Sequence, residues 1–545
     1  VFHGTAIDTF GVEILGVANN GLGPKRDLIL ARLSGEPFEE TGIIAGMSGS
    51  PVYIDGRLVG AVAYGWAFSK APICGITPIG DMLEVMARPF EPAPKMTTPR
   101  IEAQGLGATA RMSPAFFTAA GLHAEHLTPL TTPVTLSGLT PGAAAQVSEV
   151  LAPFGLAVQT APGGTSPGLP NVPEPGGALG VQFIAGDMSA TGIGTVTHVE
   201  GDRIVAFGHR LGLAGSIEMP MTSAFIHDVI PHQIISFKLG AAAQRIGAVR
   251  QDRAAAIAGL VGSTPAMLPV AVSVSSPQRT RTFSFELLRH RELTSRLAGA
   301  VLIGSLEAAE KLAGDATLDL VGSVRLAGGQ QLRFSQVFSG PGALLRAART
   351  AALPLDVLTR TEVANVELDS VHFAVELLEQ VQTATIDRLR VPQSKLRPGQ
   401  VFQIEVILQP YRGERERVRL QMEVPPGLTP GPMQLRVGGG EASRGWEQER
   451  RPDALKPRNL SQLLRELEAG GRNDDLVAEL YRPDASLSVD GRELPGLPPS
   501  VRQVLEDANS SGYVGPVFGR VLQRQVRRTS YVLQGDQRLE LEVVR

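Results

Sequence analysis

The sequence predicts a mainly β protein with α+β parts, divided into several domains. Glycine (61) and proline (40) are plentiful while aromatic residues make up only 5%, a balance that favours turns and short strands over long helical bundles. Short apolar segments punctuated by turn residues recur along most of the chain. At roughly 100–200 residues per domain, 545 residues allow three to five domains, each able to bury its own core.

Residues 1–88 read as a small antiparallel β unit with strands at Val12–Val17, Leu28–Leu33, Gly42–Ala45, Val52–Ile54 and Leu58–Tyr64. Asp55-Gly56 between two of them predicts a two-residue type I′ hairpin, because both turn positions need positive φ. Residues 79–86 then read as a short helix, and four prolines in 88–99 as a linker. In 100–160, a small α/β insert, the expected helices are 114–121 and 141–154; the second opens with the N-cap Thr140 and proline at its first turn. Residues 161–177 are rich in proline and glycine and read as an exposed linker.

A second β unit is expected over 178–262, with a hairpin formed by 194–199 and 203–207. Residues 265–390 alternate strands with helices near 293–313 and 342–352, an α+β or sandwich-like domain. Residues 391–545 read as an immunoglobulin-like β domain with a helical insert at 460–468, and the polar, charged stretch 438–457 as a flexible loop.

Composition also excludes functions. Lys+Arg 51 against Asp+Glu 54 leaves a net charge of −3, without the positive field that draws a protein to nucleic acid or anionic lipid. Cys74 is the only cysteine, so no internal disulfide, four-cysteine zinc site or iron–sulfur cluster can form. The longest uncharged apolar run, 254–278, is interrupted by Pro265 and Pro269 and predicts no membrane span. Val1 in place of Met, with no basic and apolar leader, is expected of a chain whose signal peptide has been removed.

The chemistry concentrates in Gly46-Met47-Ser48-Gly49-Ser50-Pro51-Val52. A serine between glycines, followed at once by a hairpin, suits a tight turn that exposes Oγ while neighbouring amides converge on one point. The amides of Gly46 and Ser48 are the expected oxyanion donors, each worth about 3–4 kcal/mol of barrier. The pattern by itself favours a glycine-rich β-turn with a solvent-facing serine, because short glycine motifs recur by chance.

The wider context resembles chymotrypsin-like serine proteases, with Met47 in place of the aspartate before the serine. With Thr41-Gly42-Ile43-Ile44-Ala45 before it and Gly60-Ala61-Val62 after it, the segment resembles more closely the sporulation factor IV B peptidase family, S55, which has a trypsin-like fold. Gly194-Thr195-Val196 followed by Ala206-Phe207-Gly208-His209 is similar to the family's histidine-bearing segment. The resemblance implies a two-barrel protease core assembled from 1–88 and 178–262, with Ser48 as nucleophile and His209 as general base. The histidine segment here follows the serine by 161 positions, the reverse of the family's order, and triads are defined by geometry rather than chain order. Ser34, in Arg32-Leu33-Ser34-Gly35, stands where the family has its aspartate, and Asp252 is the substitute expected to orient His209.

Other groups carry weaker expectations. His3, His198, His227 and His232 are alternative bases, and the five-residue spacing of His227 and His232 argues against a metal pair. Trp66, Phe68 and Lys70 stand where such a fold has a substrate-binding edge. The resemblance thus implies a serine endopeptidase acting on a protein or peptide, itself included, with no cofactor. It also implies export to the periplasm, envelope or medium. The rival is a catalytically silent scaffold that binds protein or cell-envelope polymers.

Overall fold

The computed structural model describes residues 1–66, 69, 71–90, 127–161, 172–212, 215–309, 316–452, 457–489, 492–494, 497–506 and 514–545. The helix expected at 114–121, Phe68, Lys70 and most of the 161–177 linker lie outside the described residues. The chain divides into two compact units, the first formed by 1–271, 283–308 and 355–370 and the second by the remainder. Residues 265–390, read from sequence as one domain, therefore contribute to both.

In the first unit the serine-bearing segment runs β1 (Gly11–Gly23), β2 (Arg26–Ser34), α1 (Phe38–Thr41), β3 (Ile44–Ala45), β4 (Pro51–Ile54), β5 (Arg57–Trp66), β6 (Ile73–Pro78) and α2 (Ile79–Met86). Its sheet has the order β1-β2-β6-β5-β4, and β7 (Leu127–Pro129) pairs with β5. The β4–β5 hairpin turns through Asp55 at φ 48° and Gly56 at φ 73°, the left-handed pair that a two-residue turn requires. One face of the sheet buries Leu33, Phe38, Ile44, Met47, Val62 and Ile76 in a common core.

The insert follows as β8 (Thr132–Ser137), α3 (Pro141–Leu151) and β9 (Leu156–Thr160), with β8 and β9 parallel. The expected N-cap Thr140 and Pro141 stand at the start of α3.

The histidine-bearing segment comprises β10 (Ala178–Gly186), β11 (Ser189–Glu200), β12 (Arg203–Ala206), β13 (Gly215–Ile230), β14 (Ser236–Arg253) and β15 (Ala256–Val261). Pairing runs β10-β13-β14-β15-β12-β11, and β11 pairs back to β10, closing a six-stranded antiparallel barrel. The two segments are packed together within this unit. β3 adds in parallel to β14, and α2 buries Met82, Val85 and Met86 among Ala61, Val205, Ala256 and Ala258. Such burial stabilises by roughly 1.5–3 kcal/mol per large apolar side chain.

In the second unit a four-stranded and a six-stranded sheet enclose one core that includes Ile386, Ile404, Leu420, Leu435, Leu480 and Leu541. The sandwich-like form expected of the C-terminal region is present, together with an unforeseen long hairpin of Asp475–Val489 and Val514–Arg528. The flexible loop expected at 438–457 is corrected: residues 440–450 form a helix. Its Arg450 is buried and paired rather than solvated, donating to Glu447 at 2.8 Å and to Glu493 at 2.7 Å, and Trp446 is buried. No helix among the described residues is long and apolar enough to cross a membrane.

Candidate active site

Gly46 to Ser50 form the turn that joins β3 to β4. Gly46 and Gly49 both have positive φ, 93° and 97°, which glycine adopts without strain. At Gly49 the requirement is also spatial, because a Cβ there would stand 2.1 Å from the Thr195 carbonyl oxygen and 2.5 Å from the Phe207 nitrogen. Met47, which replaces the aspartate of chymotrypsin-like enzymes, is fully buried in the core of its own sheet and anchors the turn from below. The Met47, Gly49 and Ser50 amides donate to the carbonyls of Ile44, Val62 and Met47. The two expected oxyanion donors, the Gly46 and Ser48 amides, are not among these internal bonds of the turn.

The histidine loop begins where β12 ends. Phe207 has φ 71°, rare for a bulky residue, and Gly208 has φ 68°. The strained Phe207 is fixed from two sides. Its amide donates to the Thr195 carbonyl at 3.2 Å, and its ring fills the space in which a Cβ of Gly194 would lie 2.1 Å from Cε1. The Gly-Thr-Val and Ala-Phe-Gly-His motifs, separate in sequence, are thus one packing arrangement.

Threonines cross-link the two segments. Thr195 Oγ1 donates to the Gly46 carbonyl at 3.1 Å, Thr195 N to the Ser48 carbonyl at 3.0 Å, and Thr197 Oγ1 to the Gly49 carbonyl at 2.7 Å. In return Thr77 Oγ1 donates to the Gly208 carbonyl at 2.6 Å. The spacing of the motifs carries no sign of these threonine contacts.

His209 is buried, with Nδ1 2.8 Å from the Arg210 carbonyl oxygen. A carbonyl only accepts, so this contact places the hydrogen on Nδ1 and leaves Nε2 as the unprotonated acceptor. Burial pulls the imidazole pKa down to about 4, against an opposing contribution from the Arg210 carbonyl bond, and the ring is neutral at physiological pH. Nε2 of His209 and Oγ of Ser48 are both buried without a hydrogen-bond partner, and they do not bond to each other in this structure.

Asp252 does not hold the imidazole as expected. Its two carboxylate oxygens accept from the amides of Leu211 (2.8 Å) and Gly212 (3.0 Å), while the His209 Nδ1 hydrogen goes to the Arg210 carbonyl. Asp252 secures the loop after His209. Its place in β14, opposite Gly215 and Ile257, aims it at those free loop amides, which outcompete a ring nitrogen already bonded. Ser34 is exposed at the end of β2, opposite Gly11.

His227 packs edge-on against Phe225 at 5.2 Å, and His232 Nδ1 accepts from the Ile234 amide. Among the described residues no three His, Cys, Asp or Glu side chains form a metal-binding group. Trp66 ends β5 and packs against the cluster of Ala18, Leu28 and Tyr64.

The glycine-flanked serine turn and the loop that carries the buried, neutral histidine thus lie in one β unit, each with its reactive atom buried and without a hydrogen-bond partner. Residues 1–79, a stretch that contains Ser48, match the family model of SpoIVB peptidase S55. The match ends before the histidine segment. No curated protein and no solved structure matches the chain.

Proposed function

We propose that the protein is a serine endopeptidase of S55 type that hydrolyses peptide bonds in a protein substrate. In this reading His209 Nε2 takes the proton from Ser48 Oγ as Oγ attacks the substrate carbonyl. The amides of Gly46 and Ser48 stabilise the oxyanion, and His209 returns the proton to the leaving amine before water repeats the sequence to release the acid. The observation that carries the reading is the state of the two reactive atoms. Ser48 Oγ and a histidine nitrogen bearing a free lone pair are sequestered in one unit, and neither is spent on another partner.

Neither atom bonds the other in this structure, and general-base catalysis needs Oγ within about 3.2 Å of Nε2. The Arg210 carbonyl performs the tautomer selection that an aspartate performs in a triad. It lacks the negative charge that would stabilise an imidazolium, which predicts slower acylation than a complete triad would give.

The test is intact-mass analysis after exposure to a fluorophosphonate. The reading predicts a single adduct on the wild type that disappears in Ser48→Ala and His209→Ala. A folded wild type that takes no adduct would favour the silent scaffold, which the full burial of Ser48 and the lack of a carboxylate on His209 support.

A further inference from the structure

Lys238, in β14, has 1% of its surface exposed, and the proposed mechanism gives it no role. Its Nζ donates to Thr195 Oγ1 at 3.3 Å, and Thr195 Oγ1 stands 3.1 Å from the Gly46 carbonyl oxygen. An ammonium can only donate, so the hydroxyl accepts from Lys238 and its single hydrogen is directed to Gly46. The Lys238 stem also lies along the turn, since a Cβ on Gly46 would meet Lys238 Cβ at 3.3 Å and Cδ at 3.5 Å. The groups that face Nζ are the Phe2 ring at 5.5 Å, the Asp8 carboxylate and the Val1 amino group. Burial outweighs the attraction of Asp8 and lowers the Lys238 pKa to about 7, so the site holds its amine at a cost.

We propose that Lys238 is a positioning residue of the nucleophile turn: through the Thr195 hydroxyl it fixes the Gly46 carbonyl. That carbonyl belongs to the peptide plane between the two amides assigned to the oxyanion. The positioning role stands on these contacts alone, and its catalytic meaning rests on the serine-peptidase reading. A residue that served only as packing would do better as methionine, which fills similar space without a buried amine. The two roles therefore give opposite signs on different readouts: removing the amine relieves the global cost and loosens the turn.

The experiment is amide hydrogen exchange at pH 6, where the ammonium dominates, on full-length wild type, Lys238→Met, Thr195→Val, their double variant and Thr195→Ser. Peptides covering 46–50 are expected to exchange about tenfold faster in Lys238→Met and in Thr195→Val, the scale of one buried hydrogen bond lost. The double variant should show no further acceleration, because both changes break one relay. Thr195→Ser, which keeps the hydroxyl, should stay within about twofold of wild type, and Lys238→Met should melt no lower than wild type. Unchanged exchange of the turn in Lys238→Met, an additive double variant, or a Lys238→Met protein that fails to fold would each overturn the proposal. Fluorophosphonate labelling of the same wild-type sample separates the two claims. Changed exchange without an adduct would end the peptidase reading and leave the positioning role, whereas an adduct with unchanged exchange would do the reverse.

Discussion

The serine turn and the histidine loop lie in one unit and are held by different means. The serine turn is anchored by a side chain, Met47, sunk into the core of its own sheet, and its Gly46, Ser48 and Gly49 carbonyls are taken by Thr195 and Thr197 of the other segment. The histidine loop is held through backbone. Phe207 and Gly208 are left-handed, Asp252 takes two successive amides, and only the Gly208 carbonyl is taken by a threonine from the serine segment, Thr77. The serine segment therefore fits its own core yet depends on the barrel for its exact shape, while the barrel largely shapes the histidine loop itself. The serine turn and the histidine loop can stand 161 positions apart, Ser48 to His209, because they are brought into one unit by contacts across the interlock rather than along the chain.

The interlock can be broken most severely at Gly49. Gly49→Ala forces a Cβ to 2.1 Å from the Thr195 carbonyl oxygen at a position with φ 97°, and should destabilise the unit by about 3 kcal/mol or more in urea unfolding. Gly56→Ala, at φ 73° with nothing within 4 Å, is the control and should cost about 1 kcal/mol. Equal costs would mean that the close approach is unimportant.

Acid tests the histidine loop. With His209 at about 4 in the fold and an ordinary value of 6.5 when unfolded, the unfolded chain takes the proton first as pH falls. The stability contributed by the neutral ring is complete above pH 6.5 and is lost progressively towards pH 4, by up to about 3 kcal/mol. His209→Gln should remove that part of the pH dependence, measured as the difference between wild-type and variant unfolding curves. Identical curves would mean that the ring is not buried neutral.

Asp252→Asn should cost about 1–3 kcal/mol, since Leu211 and Gly212 donate to different carboxylate oxygens and asparagine replaces one of these with an NH2 that cannot accept. Nitrogen chemical shifts of the His209 ring should nonetheless still report the hydrogen on Nδ1. A switch of tautomer would restore Asp252 to the orienting role expected from sequence. The smallest effect is predicted for Thr197→Val, about 1 kcal/mol for one hydrogen bond to Gly49, again by urea unfolding.

The sequence disclosed the parts of the site that obey local rules. Asp55-Gly56 specifies its hairpin through positive φ, Thr140-Pro141 opens its helix, and the serine turn is recognisable because its glycines are required where they stand. What it concealed depends on distant partners. The charged stretch at 440–450 resembles a solvated loop until Glu493 is placed beside Arg450. Asp252 shares a β unit with His209, but the direction of its carboxylate is decided by which amides the adjoining loop leaves free. Lys238 is one lysine in an alternating strand, and only the closed barrel shows it reaching Thr195.

The proposed pairing of Ser48 with His209 is tested most directly by the rate of fluorophosphonate labelling of Ser48 from pH 8 down to pH 5, in wild type and in His209→Ala. A base with a pKa near 4 predicts a wild-type rate that stays level to about pH 5, and a variant at least about a hundredfold slower throughout. A rate that halves near pH 6.5, or a His209→Ala variant that labels as fast as wild type, would contradict the account.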